Sequence, residues 1–204
     1  MKHTSTLALL VSTCLSTTAC ANEVGEDMEL NAAFEVACTG GWAAAGVGAR
    51  QWAGQILEPP ATPFAIRSAR YTLLPAFDGA PFCDVDVPHR VFIGVLDDET
   101  PPSDFAGLRE LDGGPQVTVD GLPVSPDLVV EEGQRIFLAV EMVADGASES
   151  DPANCLEVCV ADVAAINRSF ISSPDMPPVS WDRLIDDGFG SSAWRFDVFG
   201  VVVE

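Results

Sequence analysis

The sequence predicts an all-β fold of antiparallel strands, closed as a sandwich or a barrel. Three observations carry this expectation. Apolar and polar residues alternate with a period of two in several short runs, segments rich in Gly, Pro and Asp separate the runs, and no convincing helical stripe occurs after residue 40. Such runs, bounded by such breakers, are the pattern of strands with one buried face. Fifteen prolines and seventeen glycines in 204 residues supply the turns that many short strands require.

The runs are taken in chain order. Phe64–Leu74 ends in a Pro/Asp/Gly segment. Arg90–Leu96 stops at Asp97-Asp98-Glu99-Thr100-Pro101-Pro102, and Gln116–Asp120 precedes a Gly-Leu-Pro turn. Arg135–Met142 places Ile136, Leu138, Val140 and Met142 on one face, and Leu156, Val158 and Val160 alternate in the same way. Trp194–Val203 sets Trp194, Phe196 and Val198 against Arg195, Asp197 and Phe199. Helix is left only to Ala106–Leu111 and Pro152–Cys155. No internal repeat at a period of roughly 20–50 residues is present.

Upstream of these runs lies an export signal. Lys2 supplies the positive charge, Leu7–Leu15 the apolar region, and Thr17-Thr18-Ala19 the small residues before Cys20. The apolar run is shorter than the ~20 residues a membrane span needs. The approach to Cys20 resembles the bacterial lipoprotein lipobox, with Ala19 and Cys20 matching and Thr17 standing where that family prefers Leu. The resemblance implies cleavage after residue 19 and a lipid on Cys20, hence an outer-membrane or cell-surface lipoprotein held in the bilayer by its anchor. An ordinary signal peptide containing a cysteine is the alternative. Residues 20–37, with Glu23, Glu26, Asp27, Glu29 and Glu35, read as an acidic tether, or as a short helix through Met28–Val36. The folded domain is expected over residues 38–204.

Composition narrows the function classes. Thirty-one acidic residues against ten basic give a formal charge of −21, and the mean hydropathy is +0.23. Loss of residues 1–19 removes Lys2, the only lysine, and leaves nine arginines against the same thirty-one acids, a net −22. Binding a polyanion needs clustered cations, so a nucleic-acid partner is not expected. The chain is also too apolar for an acidic disordered protein.

The C-terminal order suggests a second resemblance. An apolar strand at Arg135–Met142 and a Cys-bearing strand lead to Ser169-Phe170-Ile171-Ser172-Ser173 and Trp181. A closing strand then carries Trp194 and Phe196. Gln55-Ile56 before Pro59, and Phe64-Ala-Ile-Arg-Ser-Ala, match the opening strands. This is similar to the jelly-roll, carbohydrate-binding-like sandwiches of bacterial extracellular proteins, over roughly residues 49–204. It implies an all-β, antiparallel jelly-roll-like β-sandwich, and no ligand residue carries over. Fold alone does not set function.

Cysteines stand at 14, 20, 38, 83, 155 and 159. Without Cys14 and the anchor Cys20, four remain, an even number that in an exported chain reads as disulfides. On one strand Cys155 and Cys159 would lie ~13 Å apart at ~3.3 Å per residue, beyond the ~7 Å a disulfide spans. Cys38 and Cys83 are therefore each expected to join one of them. A zinc site using four thiolates, or His89, is the competing reading.

Candidate chemistry is sparse. Apart from His3 in the signal the chain holds one histidine, His89, expected at the start of a strand or on the surface. No Gly-x-Ser-x-Gly, phosphate-binding loop or His-Glu-x-x-His motif occurs. Asn167-Arg168-Ser169 has the glycosylation pattern, without meaning in a bacterial lipoprotein. Calcium is the cofactor that acidic turns could take, at Asp84 with Asp86, at Asp97, Asp98 and Glu99, or at Asp186 and Asp187, although none matches an EF-hand. Sugar binding would use aromatic platforms. Trp181 and Trp52 are the loop-proximal candidates, Asp182 the carboxylate beside Trp181, and Trp42, Trp194 and Tyr71 the remaining material. The expectation is a non-enzymatic binding or structural module for a cell-surface glycan or protein. The alternative is a secreted hydrolase using paired carboxylates.

Overall fold

A computed structural model describes residues 28–29, 37–43, 49–73, 88–111, 121–144, 156–163, 168–172, 178–186 and 192–203. Among the described residues thirteen strands are formed, and Ile185 and Asp186 begin a helical turn after the eleventh. In order the strands are β1 (Met28–Glu29), β2 (Gly40–Ala43), β3 (Ala49–Leu57), β4 (Phe64–Tyr71), β5 (Val91–Leu96), β6 (Arg109–Leu111) and β7 (Leu122–Val130). There follow β8 (Arg135–Ala144), β9 (Glu157–Asp162), β10 (Ser169–Ser172), β11 (Trp181–Arg183), β12 (Ser192–Trp194) and β13 (Phe196–Val202). They form sheets ordered β1-β13-β4-β7, β11-β10-β3-β8-β5-β6 and β12-β9-β2. All the pairings are antiparallel.

The alternation explains how the sheets meet. Ile136, Leu138, Val140 and Met142 of β8 join Ala53 and Leu57 of β3 and Val91 and Ile93 of β5 in one core. Phe64, Ile66, Ala69 and Tyr71 of β4, Phe196 and Val198 of β13, and Val158 and Val160 of β9 belong to the same core. The shared core is what joins three sheets into one unit, because burial of these side chains is its dominant stabilising term. Backbone bonds stitch the smaller sheets together. Cys159 N donates to Thr72 O, Thr72 N to Arg195 O, and Arg195 N to Cys159 O, at 2.9, 3.1 and 3.0 Å.

That ring corrects one expectation. Trp194–Val203 is not one strand, since Arg195 breaks it and passes the chain from the three-stranded to the four-stranded sheet. Ala106–Leu111 is not helical either: a turn at 106–107 leads into β6. The Gly-Leu-Pro turn is also shorter than expected. Gly121 makes it, at φ +85°, a conformation that suits glycine, and Leu122 and Pro123 already belong to β7. Gln116–Asp120, Pro152–Cys155 and residues 1–27 lie outside the described residues.

Two N-terminal findings bear on the expected boundary at residue 38. Met28 and Glu29 pair with Gly200 and Phe199 of β13, so the sheet takes in residues of the expected tether, and the helix considered over Met28–Val36 does not begin there. Cys38 is bonded to Cys159 of β9, with Cα atoms 5.7 Å apart. Cys38 thus joins one of the two expected partners, and Cys83 and Cys155 lie outside the described residues.

Candidate functional site

The six-stranded sheet is apolar on both faces. Its second face carries Trp52 and Ile56 of β3, Phe92 of β5, Phe137 and Ala139 of β8, and Phe170 of β10, with Leu96, Phe105, Leu108 and Trp181 packed over them. The cover comes from two segments. Phe105, in the loop between β5 and β6, stacks on Phe92 at 4.8 Å between centroids with 13° between planes, and lies 4.5 Å from Trp52. Trp181, in the edge strand β11, meets Phe137 edge-on at 5.4 Å and Phe105 at 6.4 Å. Offset and edge-on contacts of this kind satisfy the ring quadrupoles.

The two covering segments are tied to each other. Trp181 Nε1 donates to Pro102 O and Val179 N to Ser103 O, each at 2.7 Å. Glycine makes room beneath them. A Cβ at Gly54 would stand 2.7 Å from Trp181 Cζ3 and 3.0 Å from Phe137 Cζ, and one at Gly94 would strike the Leu108 side chain. The absent side chains in β3 and β5 therefore position the cover.

Charged groups close both ends of this face. At one end Glu141 of β8, wholly buried, accepts from Arg90 at 2.8 Å and Arg50 at 3.1 Å, and from the Arg90 backbone N–H at 3.0 Å. The Arg90 guanidinium also lies 5.0 Å from the Trp52 ring centroid. Burial works to raise the Glu141 carboxyl, but bonding and attraction from Arg90, with Arg50, outweigh it and hold the group below its usual range. At the other end Arg168 bridges Glu58 at 2.7 Å and Glu99 at 2.6 Å, and Arg135 approaches the same two carboxylates at 3.4 and 3.6 Å. The Arg168 bond chiefly lowers Glu58.

The residues expected to act separate against this geometry. Trp52 is not in a loop: it sits inside β3, fully buried under the loop residue Phe105, and presents no platform. Trp194 and Tyr71 are buried as well. Trp181 keeps part of its surface exposed but belongs to a strand, and its indole N–H is engaged. Asp182, the next residue, is exposed. Consecutive on one strand, the two point to opposite faces of the sheet: Trp181 lies with Phe170 over the aromatic layer that holds Trp52, and Asp182 stands opposite Ile171 on the other face.

His89 precedes β5, as expected of a residue at the start of a strand, but it is buried, with Nε2 2.6 Å from the Tyr71 hydroxyl. Burial pushes the Tyr71 phenol up. Asp98 accepts from Thr100 N at 2.7 Å and Asp97 from Gln134 Nε2 at 2.9 Å, so each spends an oxygen on a protein donor. Asp186 is exposed, and Asp84, Asp86 and Asp187 lie outside the described residues. Among the described residues no three His, Cys, Asp or Glu side chains converge as a metal site would need. The Arg50–Glu141–Arg90 bridge went unread in the sequence. Its signal was a carboxylate inside the apolar run Arg135–Met142.

No family model, no curated protein and no solved structure matches the chain.

Proposed function

We propose that the chain is an exported, lipid-anchored, non-catalytic module of jelly-roll type that binds a neutral glycan at the edge strand β11. One observation carries the reading: Trp181 keeps part of its surface exposed on an edge strand, and the exposed Asp182 follows it at the same sheet edge. An indole face and a carboxylate that accepts sugar hydroxyls are a workable combination for a pyranose. The charge near −22 favours a neutral ligand over an anionic one. Support for a non-catalytic role comes from how reactive groups are spent, His89 on Tyr71 and Glu141 on two arginines. No cofactor enters this reading.

Two experiments test it. Full-length protein on an array of neutral glycans is expected to bind at least one of them, and Asp182→Asn to weaken that binding about tenfold, about 1.4 kcal/mol, with an unchanged melting temperature. An array without neutral binders, or an Asp182→Asn variant that binds like the parent, rejects the glycan reading. Labelled palmitate is expected to enter the parent and not Cys20→Ser. Equal labelling rejects the anchor.

A further inference from the structure

The main core contains polar atoms that the fold leaves unserved. On β3 the side chains alternate: Trp52 and Ile56 face the covered aromatic layer, and Ala53 and Leu57 face the main core. Gln55 therefore points into the main core, and it is wholly buried. Neither its Oε1 nor its Nε2 has a hydrogen-bond partner. Directly across the ladder stands Ser169 of β10, 2% exposed, whose Oγ is unpaired as well. Ser169 shares the inward face with Ile171, while Phe170 faces the aromatic layer. Gln51, four residues earlier on the same face of β3, adds an unpaired Oε1.

Backbone groups on the adjoining strands already have partners. Ser169 O accepts from Leu184 N at 2.9 Å, and Phe170 O accepts from the Trp194 indole at 2.8 Å. Ile56 N donates to Arg168 O at 2.9 Å. A buried amide and hydroxyl without partners are expensive, and native interiors avoid the combination. The three atoms on the adjacent pair offer a donor, an acceptor and a hydroxyl that serves as either. That is the set of two to four partners an internal water takes. Because both amide atoms are unpaired, either orientation of the Gln55 amide leaves a donor and an acceptor open.

We infer that Gln55 and Ser169 form a buried site for an ordered water molecule that bridges β3 and β10 inside the core. The water closes the amide and the hydroxyl together, and so adds a side-chain link to the ladder between the two strands. β10 in turn carries β11 and its Trp181. The site therefore braces the strand pair on which the exposed edge is built.

Magnetic relaxation dispersion of water oxygen-17 on the full-length protein tests this. The parent is expected to show a long-lived internal water whose contribution disappears in Gln55→Leu and in Ser169→Ala, with a lower melting temperature in Ser169→Ala. Equal dispersion amplitude in parent and folded variants overturns the inference. So does an Ser169→Ala variant that melts above the parent, the behaviour of a hydroxyl that nothing satisfies. Should the variants fail to fold, a high-resolution crystal structure of the parent decides. Density for a water within hydrogen-bond reach of both side chains supports the site, and direct contact between Gln55 and Ser169 with no such density overturns it.

Discussion

Trp181 donates its indole N–H to the carbonyl oxygen of Pro102 at 2.7 Å, latching the edge strand β11 to the loop that covers the aromatic face of the six-stranded sheet. The same ring rests over Gly54 and against Phe137. The residue that sequence reasoning placed in a loop as a ligand platform is therefore also a packing element.

Truncating it should loosen the cover. Trp181→Ala is expected to cost on the order of 2–4 kcal/mol, somewhat below a fully buried Trp. Trp181→Phe keeps much of the packing and loses the indole bond, about 1 kcal/mol. Urea unfolding checks both, and limited proteolysis of Trp181→Ala should cut within residues 97–108. Equal stability of Trp181→Ala and parent contradicts the packing role.

Much of the architecture was legible because apolar runs with a period of two mark strands: β4, β5, β8, β9 and β13 follow runs seen in the sequence. The misses have physical causes. β3 entered only through the resemblance at Gln55-Ile56, since Trp52, Gly54 and Ile56, covered on a second face, break the alternation that would mark it. β7 carries Pro123 and Pro126, which read as turn residues but are tolerated on an edge strand. β6, β11 and β12 have three residues each, too few for a period to show. Of the proposed site, Trp181 and Asp182 are residues the sequence already named as candidates. Phe105 and the Arg50–Glu141–Arg90 bridge were not, since their partners lie on strands distant in sequence.

Glu141 makes acid stability predictable. Its carboxyl is held below the ordinary glutamate value of about 4.5 by Arg90 and Arg50 against the opposing effect of burial. A depressed folded-state value means that the stabilisation is present above the unfolded value and is lost as pH falls through the folded one. Glu141→Gln should flatten the fall in stability below about pH 4.5. At neutral pH the loss should be about 1–3 kcal/mol, because the two arginines left behind are partly exposed and screened by water. Denaturation curves at a series of pH values measure both effects, and parallel profiles for the two proteins would refute the assignment.

Glu157 behaves in the opposite sense. It lies buried in β9 over Gly41, and burial raises its carboxyl above 4.5. Folding then favours the protonated form, so stability declines as pH rises from about 4.5 through the folded value. Glu157→Gln should be more stable than the parent at neutral pH, with the gain vanishing in acid. A variant less stable than the parent at pH 7 runs against this sign.

The Cys38–Cys159 bond ties the chain ahead of β2 to β9 across 121 residues. Replacing both cysteines by Ser should cost about 2–5 kcal/mol. Peptide mass spectrometry without reduction should find Cys38 linked to Cys159. A Cys155–Cys159 peptide is incompatible with the pairing.

The glycan reading meets its most direct test in the fluorescence of Trp181. Trp52 and Trp194 are wholly buried, whereas Trp181 is partly exposed at the proposed edge. Titrating a neutral glycan selected on the array should shift the emission of the parent to the blue, and Trp181→Phe should show no shift. An unshifted parent, or the same shift in Trp181→Phe, would contradict binding at β11.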